Sequence, residues 1–243
     1  MRSMTDFTRR LLERLDRFRD LPNYQLECRA DIFIAMWLPQ VLEAVTGRAI
    51  DPRLVPEFPV QRMLVRGGRD PGPAIHIDYL AVSADLQDAW LIGIKSDMGH
   101  RDPDQDDAMR TARRHGWSMI VRALCEVIRS GKREQQRDQR YRHLSSLLGD
   151  LGLLQVPADI NEHIYGSGRA ALTGRLGQIV PTAANPRLQI LYIQPEAKTT
   201  ESAIDFARFA AELERLSDDD ARTFAEYLRR WVTPPGARRP PLS

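Results

Sequence analysis

The chain has 243 residues, of which 42% are hydrophobic and 28% charged, with a formal net charge of +2. This is the composition of a soluble globular protein with one substantial core, and it contains no apolar run of the roughly 18 residues that a membrane-spanning helix needs. The net charge is too small to name a polyanionic partner by itself, so any such case rests on local clustering. Cys28 and Cys125 stand far apart and offer neither metal-ligand spacing nor a disulfide framework, so they read as apolar thiols of a reducing compartment. The opening "MRSMTDFTRRLLERLDRF" is charged throughout and lacks a signal-length apolar stretch. The expectation is a cytoplasmic protein without a membrane partner.

Residues 5–19 carry Leu11, Leu12, Leu15 and Phe18 at helical spacing among Arg and Glu, which predicts an amphipathic helix. A second helix is predicted over "NYQLECRADIFIAMWLPQVLEAVTG", capped by Asn23, bent or broken at Pro39 and stopped by Gly47. "EFPVQRML" reads as a short strand, and "RGGRDPGP" as a turn. "AIHIDYLAV" and "AWLIGIKSD" read as two strands of an antiparallel hairpin joined by "DLQD". Asp102, Pro103 and Gln105 form a helix-start signal, and the apolar positions Met109, Ala112, Ile120, Leu124 and Ile128 predict one long helix running to Gly131. Another helix is predicted over about 133–148, then a small strand or loop around "LLQVPADI", then the strand "RLQILYIQP" ended by Pro195. Two helices, "TESAIDFARFAAELERL" and "DDDARTFAEYLRRWV", follow. The Pro-rich tail over 233–243 is expected to be disordered, and 1–232 to form one α/β domain.

The two hairpin strands carry charge where apolar side chains would serve a core better. Asp78 lies inside "IHIDYLAV", where an unpaired carboxylate costs free energy. Only Lys95, Lys132 and Lys198 of the 35 basic residues are Lys, and Lys95 stands in the apolar "LIGIKSD". Lys offers a compact charge whose pKa shifts readily on burial, which a planar guanidinium does not. Alternation puts Gly93, Lys95 and Asp97 on one face of their strand, and His76 on the same face as Asp78. Glu27 and Asp31 share a helix face one turn apart. Carboxylates converging with a Lys suit a metal–phosphate site: hard oxygen ligands hold Mg²⁺, and the Lys orients water or stabilises developing charge.

The order of these residues resembles the PD-(D/E)xK nuclease superfamily: a helix with Glu27, the strands "EFPV", "IHIDYLAV" and "LIGIKSD", then a helix with Gln105. The resemblance covers roughly residues 24–110. It implies a restriction-endonuclease-like fold, a central mixed β-sheet flanked by helices. It implies metal-dependent hydrolysis of DNA phosphodiesters with Mg²⁺ or Mn²⁺. By position, Asp78 corresponds to the metal-binding Asp, Lys95 to the catalytic Lys, Glu27 to the assisting helix Glu and Gln105 to a polar helix residue after the core.

The triplet departs from the family pattern. It reads Gly93-Ile94-Lys95, with glycine where a metal-binding Glu belongs. Three readings follow. Asp97, Glu27 or Asp31 supplies the missing oxygen; His76 supplies a nitrogen, better suited to Zn²⁺ or Mn²⁺; or the site no longer cleaves, and the protein binds nucleic acid or a protein partner. On the last reading Asp78 and Lys95 form a structural ion pair. The basic stretch "RSGKREQQRDQRYRH", with Arg129, Lys132, Arg133, Arg137, Arg140 and Arg142 against Glu134 and Asp138, reads as a solvated helix face or as a phosphate contact.

Overall fold

The computed structural model describes residues 4–18, 27–62, 64, 74–95, 102–129, 135–160, 174–196 and 202–232; within these, the side chains of 4, 5, 18, 27–29, 129 and 135–140 are not described. The protein is α/β. Its helices are α1 (Met4–Phe18), α2 (Glu27–Thr46), α3 (Pro103–His115), α4 (Trp117–Arg129), α5 (Gln135–Asp150), α6 (Phe206–Glu214) and α7 (Asp219–Val232). Its strands are β1 (Val55–Val60), β2 (Ile75–Val82), β3 (Asp88–Ile94), β4 (Leu154–Gln155), β5 (Val180–Pro181), β6 (Arg187–Gln194) and β7 (Ser202–Asp205).

A five-stranded sheet runs in the order β1-β2-β3-β6-β7, and β4 pairs with β5 separately. β1 and β2 are antiparallel, from Val55↔Leu80 to Val60↔Ile75. The β2–β3 hairpin closes where the Ser83 N–H donates to the Asp88 carbonyl at 2.9 Å. β6 advances in step with β3: the Arg187 N–H donates to the Gln87 carbonyl, and the Lys95 N–H to the Ile193 carbonyl. β6 and β7 are parallel. The sheet is therefore mixed. Every residue of β3 is buried, as a central strand covered on both faces requires. β1 lies at the sheet edge and carries Pro56, Pro59 and, between them, Glu57 in left-handed backbone (φ 51°). Prolines and a distorted backbone blunt an edge against pairing with another chain.

Contacts group the chain into two interleaved compact units. One comprises 1–50, 92–101 and 191–243; the other comprises 51–91 and 102–190. In the first, α7 packs on α6 and α1, and α6 on α2. Its centre is aromatic: Phe33 and Trp37 lie against Phe224 with centroids 5.6 Å apart, and Trp231 meets the same ring edge-on at 5.9 Å. Each indole has an acceptor, Asp218 for Trp37 and Asp16 for Trp231, both at 3.1 Å. In the second unit α3 and α4 pack on β1, with Phe58 stacked on Trp117 at 6.1 Å.

Two local expectations are corrected. The helix from Asp102 does not run on to Gly131; it ends at His115 and restarts at Trp117, because Gly116 adopts φ 76° and its N–H closes onto the Ala112 carbonyl at 2.9 Å. Of the two outcomes expected at Pro39, a bend or a break, the break does not occur: α2 continues through it. The start of "TESAIDFARFAAELERL" is strand β7, and the helix begins only at Phe206, capped by the Asp205 carboxylate accepting from the Arg208 N–H at 2.7 Å. Gly47 terminates α2 as expected, at φ 67° with its N–H on the Glu43 carbonyl. Asn23, the turn "RGGRDPGP" and the tail 233–243 lie outside the described residues.

Candidate functional site

The site grows from β2 and the start of α3, both in the second unit. Asp102 caps α3, accepting from the Asp104 N–H at 2.9 Å and the Gln105 N–H at 3.4 Å. Pro103 occupies the first helical position, where its missing N–H costs nothing. This start places Gln105 in the third position, buried, with its amide turned to β2. Gln105 Nε2 donates to the His76 carbonyl at 3.1 Å and to Asp78 Oδ1 at 3.2 Å. The helix start thus does more than cap. It delivers a neutral donor that fixes one oxygen of the Asp78 carboxylate.

The register between Pro56↔Tyr79 and Phe58↔Ile77 sets Glu57 opposite Asp78 on β1. Glu57 Oε2 lies 3.8 Å from His76 Nδ1, and both side chains are largely exposed. His76 therefore faces the edge strand and solvent. Past the end of β1, Arg62 lies 3.6 Å from the Asp104 carboxylate. The Nε2 of Gln61 and the Nε of Arg62 are buried donors without a hydrogen-bond partner. Neither residue stands out in the sequence: a Gln and an Arg after a short strand carry no motif, and only the packing shows that these two donor atoms are buried.

Lys95 belongs to the other unit. It follows β3 directly, its backbone N–H is held by the Ile193 carbonyl at 2.8 Å, and only 9% of its surface is exposed. Gly93 lies inside the wholly buried β3 and contributes no oxygen. Asp97 and the side chain of Glu27 lie outside the described residues. Asp31 is half-buried, and its Oδ1 accepts from the adjacent Ile32 N–H at 2.6 Å.

The described donor set does not fit a hard divalent cation. Such an ion takes about six oxygens, usually with more than one carboxylate. Among the described residues, no group of three or more His, Cys, Asp or Glu is placed to hold a metal ion. Asp78 is the one assigned metal ligand whose side chain is described, and one of its oxygens already accepts from an amide. A cavity of about 440 Å³ in the second unit, lined by residues including Ser146, Gly149, Asp150 and Ile160, includes none of the assigned site residues.

The fold and site thus define an α/β protein with a five-stranded mixed sheet and a carboxylate–amide pair between β2 and α3. No protein family, no curated protein and no solved structure matches this chain. Among the described residues no helix is long and apolar enough to cross a membrane.

Proposed function

We propose that this is a nuclease-like protein of the PD-(D/E)xK kind that binds DNA without hydrolysing it. The observation that carries the reading is Gly93: the position that should supply a metal-binding carboxylate is a glycine inside a fully buried strand. No side chain there reaches a cation, and a carboxylate introduced there would have to be desolvated. The order of elements supports the reading: Asp78 lies on one hairpin strand, Lys95 follows the other and Gln105 opens the next helix. Binding through phosphate contacts predicts affinity that falls steeply with salt.

A second reading keeps hydrolysis, because the Gln105 amide holds Asp78 as a working carboxylate would be held. One experiment separates the two. Supercoiled plasmid and single-stranded DNA are incubated in Mg²⁺ or Mn²⁺ with wild type, Lys95→Ala and Gly93→Glu, and binding is followed in parallel by gel shift. The expected result is retarded but uncut DNA with wild type. Cutting by wild type that Lys95→Ala abolishes would overturn the binding reading in favour of the second. Neither retardation nor cutting by any of the three would end both.

A further inference from the structure

The helix α3 is divided by charge along its length. Its start carries Asp102 at the cap, then Asp104, Asp106 and Asp107; from Ala108 to His115 there is no acid, and Arg110, Arg113, Arg114 and His115 stand there instead. These four basic residues are exposed, while Gln105, Asp106, Ala108, Met109, Thr111 and Ala112 are buried. A helix turns about 100° per residue, so Arg110 and Arg114 stand about 140° and 180° around the axis from Gln105. The arginines therefore face away from the Asp78–Gln105 pair and away from β1 and β2, on which the helix packs. Asp107, one turn before Arg110, is the acid nearest to them along the helix.

A single cation in a last turn complements the helix dipole and needs no ligand. Three guanidinium groups within five residues, on the solvent side of the helix, make a wider surface. On α6 and α7 the exposed arginines are tied to carboxylates: Arg215 to Glu212, Arg222 to Asp219 and Arg229 to Glu214. Arg114 instead donates to a neutral group, the Thr111 hydroxyl, at 2.9 Å. The other end of the helix has the opposite sign. A phosphate arriving there meets the carboxylates of Asp78, Asp104 and Glu57, and among the described residues no group of three or more His, Cys, Asp or Glu is placed to hold a cation between them.

We propose that the DNA backbone is held on the outward face of α3, by Arg110, Arg113 and Arg114, and not at the carboxylate end of the same helix. This rests on the DNA-binding reading and adds where the duplex sits. The contacts are charge-assisted hydrogen bonds from guanidinium to phosphate oxygen, which fix position and carry no base preference. They need no divalent ion, because this face presents cations to the phosphates directly.

The test is fluorescence anisotropy of a labelled random-sequence duplex, titrated at several NaCl concentrations with and without EDTA. Wild type is compared with the triple variant Arg110→Gln, Arg113→Gln, Arg114→Gln. A control of equal charge carries Arg10→Gln, Arg14→Gln and Arg17→Gln on α1, where the arginines are also exposed but alternate with Asp6, Glu13 and Asp16. Gln keeps a good helix propensity at all six positions. Each lost phosphate contact lowers the slope of log affinity against log salt by about 0.9, so the α3 variant should lose up to about 2.7 of the slope and at least about tenfold in affinity. The control should bind as wild type does, and EDTA should change nothing. If the triple variant does not fold, Arg110→Gln and Arg114→Gln singly decide, each lowering the slope by about 0.9. An unchanged slope in the α3 variants, an equal loss in the control, or binding that EDTA removes would overturn this placement and leave the DNA-binding reading standing. A wild type that binds no duplex would end that reading and the placement together.

Discussion

The two ends of the β2–β3 hairpin treat a carboxylate in opposite ways. At the turn end Asp88 is 1% exposed, and its Oδ1 receives Arg187 Nε at 2.9 Å, Arg187 Nη2 at 2.8 Å and Gln189 Nε2 at 3.0 Å. At the open end Asp78 is half-buried and receives the neutral Gln105 amide. A guanidinium neutralises a carboxylate and locks it into the fold; an amide orients it and leaves its charge in place. The first arrangement explains itself as structure. The second ties a strand carboxylate to the start of the next helix.

Replacing Asp88 by Ala tests that difference most directly. It leaves Arg187 and Gln189 without their shared acceptor, and since the Arg187 side chain is itself largely exposed, the expected loss is about 2–3 kcal/mol by urea denaturation, below the full penalty of a broken buried pair. Asp78→Ala should cost less than Asp88→Ala, because Asp78 is only half-buried and Gln105 keeps the His76 carbonyl. Equal losses at the two positions would abolish the distinction.

A third carboxylate calibrates the pair. Asp218 caps α7, accepting from the Asp220 N–H at 2.8 Å and the Ala221 N–H at 3.1 Å, and it also accepts from the Trp37 indole. Asp218→Ala should cost about 1–2 kcal/mol, as a lost cap plus one hydrogen bond. Burial raises the Asp218 pKa, but the hydrogen bonds from Trp37 and from the backbone of Ala221 and Asp220, helped by Arg222, outweigh it and hold the pKa below the usual Asp value. A depressed folded-state pKa contributes stability that is present above the unfolded value, about 3.9, and is lost as pH falls through the folded one. The gap in urea midpoint between wild type and Asp218→Asn should therefore be full near neutral pH and shrink below about pH 4. A gap that widens in acid would reverse the sign.

A last substitution sharpens the open end. Gln105→Ala should cost roughly 1–2 kcal/mol of stability, the price of two lost hydrogen bonds with one backbone acceptor left buried. Its DNA affinity should change no more than several-fold if the amide only orients Asp78. A loss of all retardation would make Gln105 a direct contact with the nucleic acid.

Periodicity was sufficient where one face of an element meets a core. α1, the β2–β3 hairpin, β6 and α7 follow their apolar spacing closely, and the Asp102-Pro103 start of α3 is as the cap residues require. It was insufficient where one residue overrides a pattern. Gly116 divides an apolar stripe that reads as continuous, and the strand β7 hides in front of a helix because four residues are too few to show alternation. The site divides in the same way. Asp78, Lys95 and Gln105 announce themselves as polar residues in apolar or capping positions. Gln61, Arg62, Trp117 and Arg142 do not, because an orphaned donor is defined by what surrounds it.

The sequence by itself determined the α/β class, the hairpin and the start of α3, since each rests on local spacing or on a side chain's chemistry. Only the tertiary structure decided which charges are satisfied. Asp88 meets Arg187 and Gln189 about a hundred positions along the chain, while the buried Nε of Arg142 has no hydrogen-bond partner among the described residues. Local sequence sets what a residue can donate or accept; long-range packing sets whether anything is there to receive it.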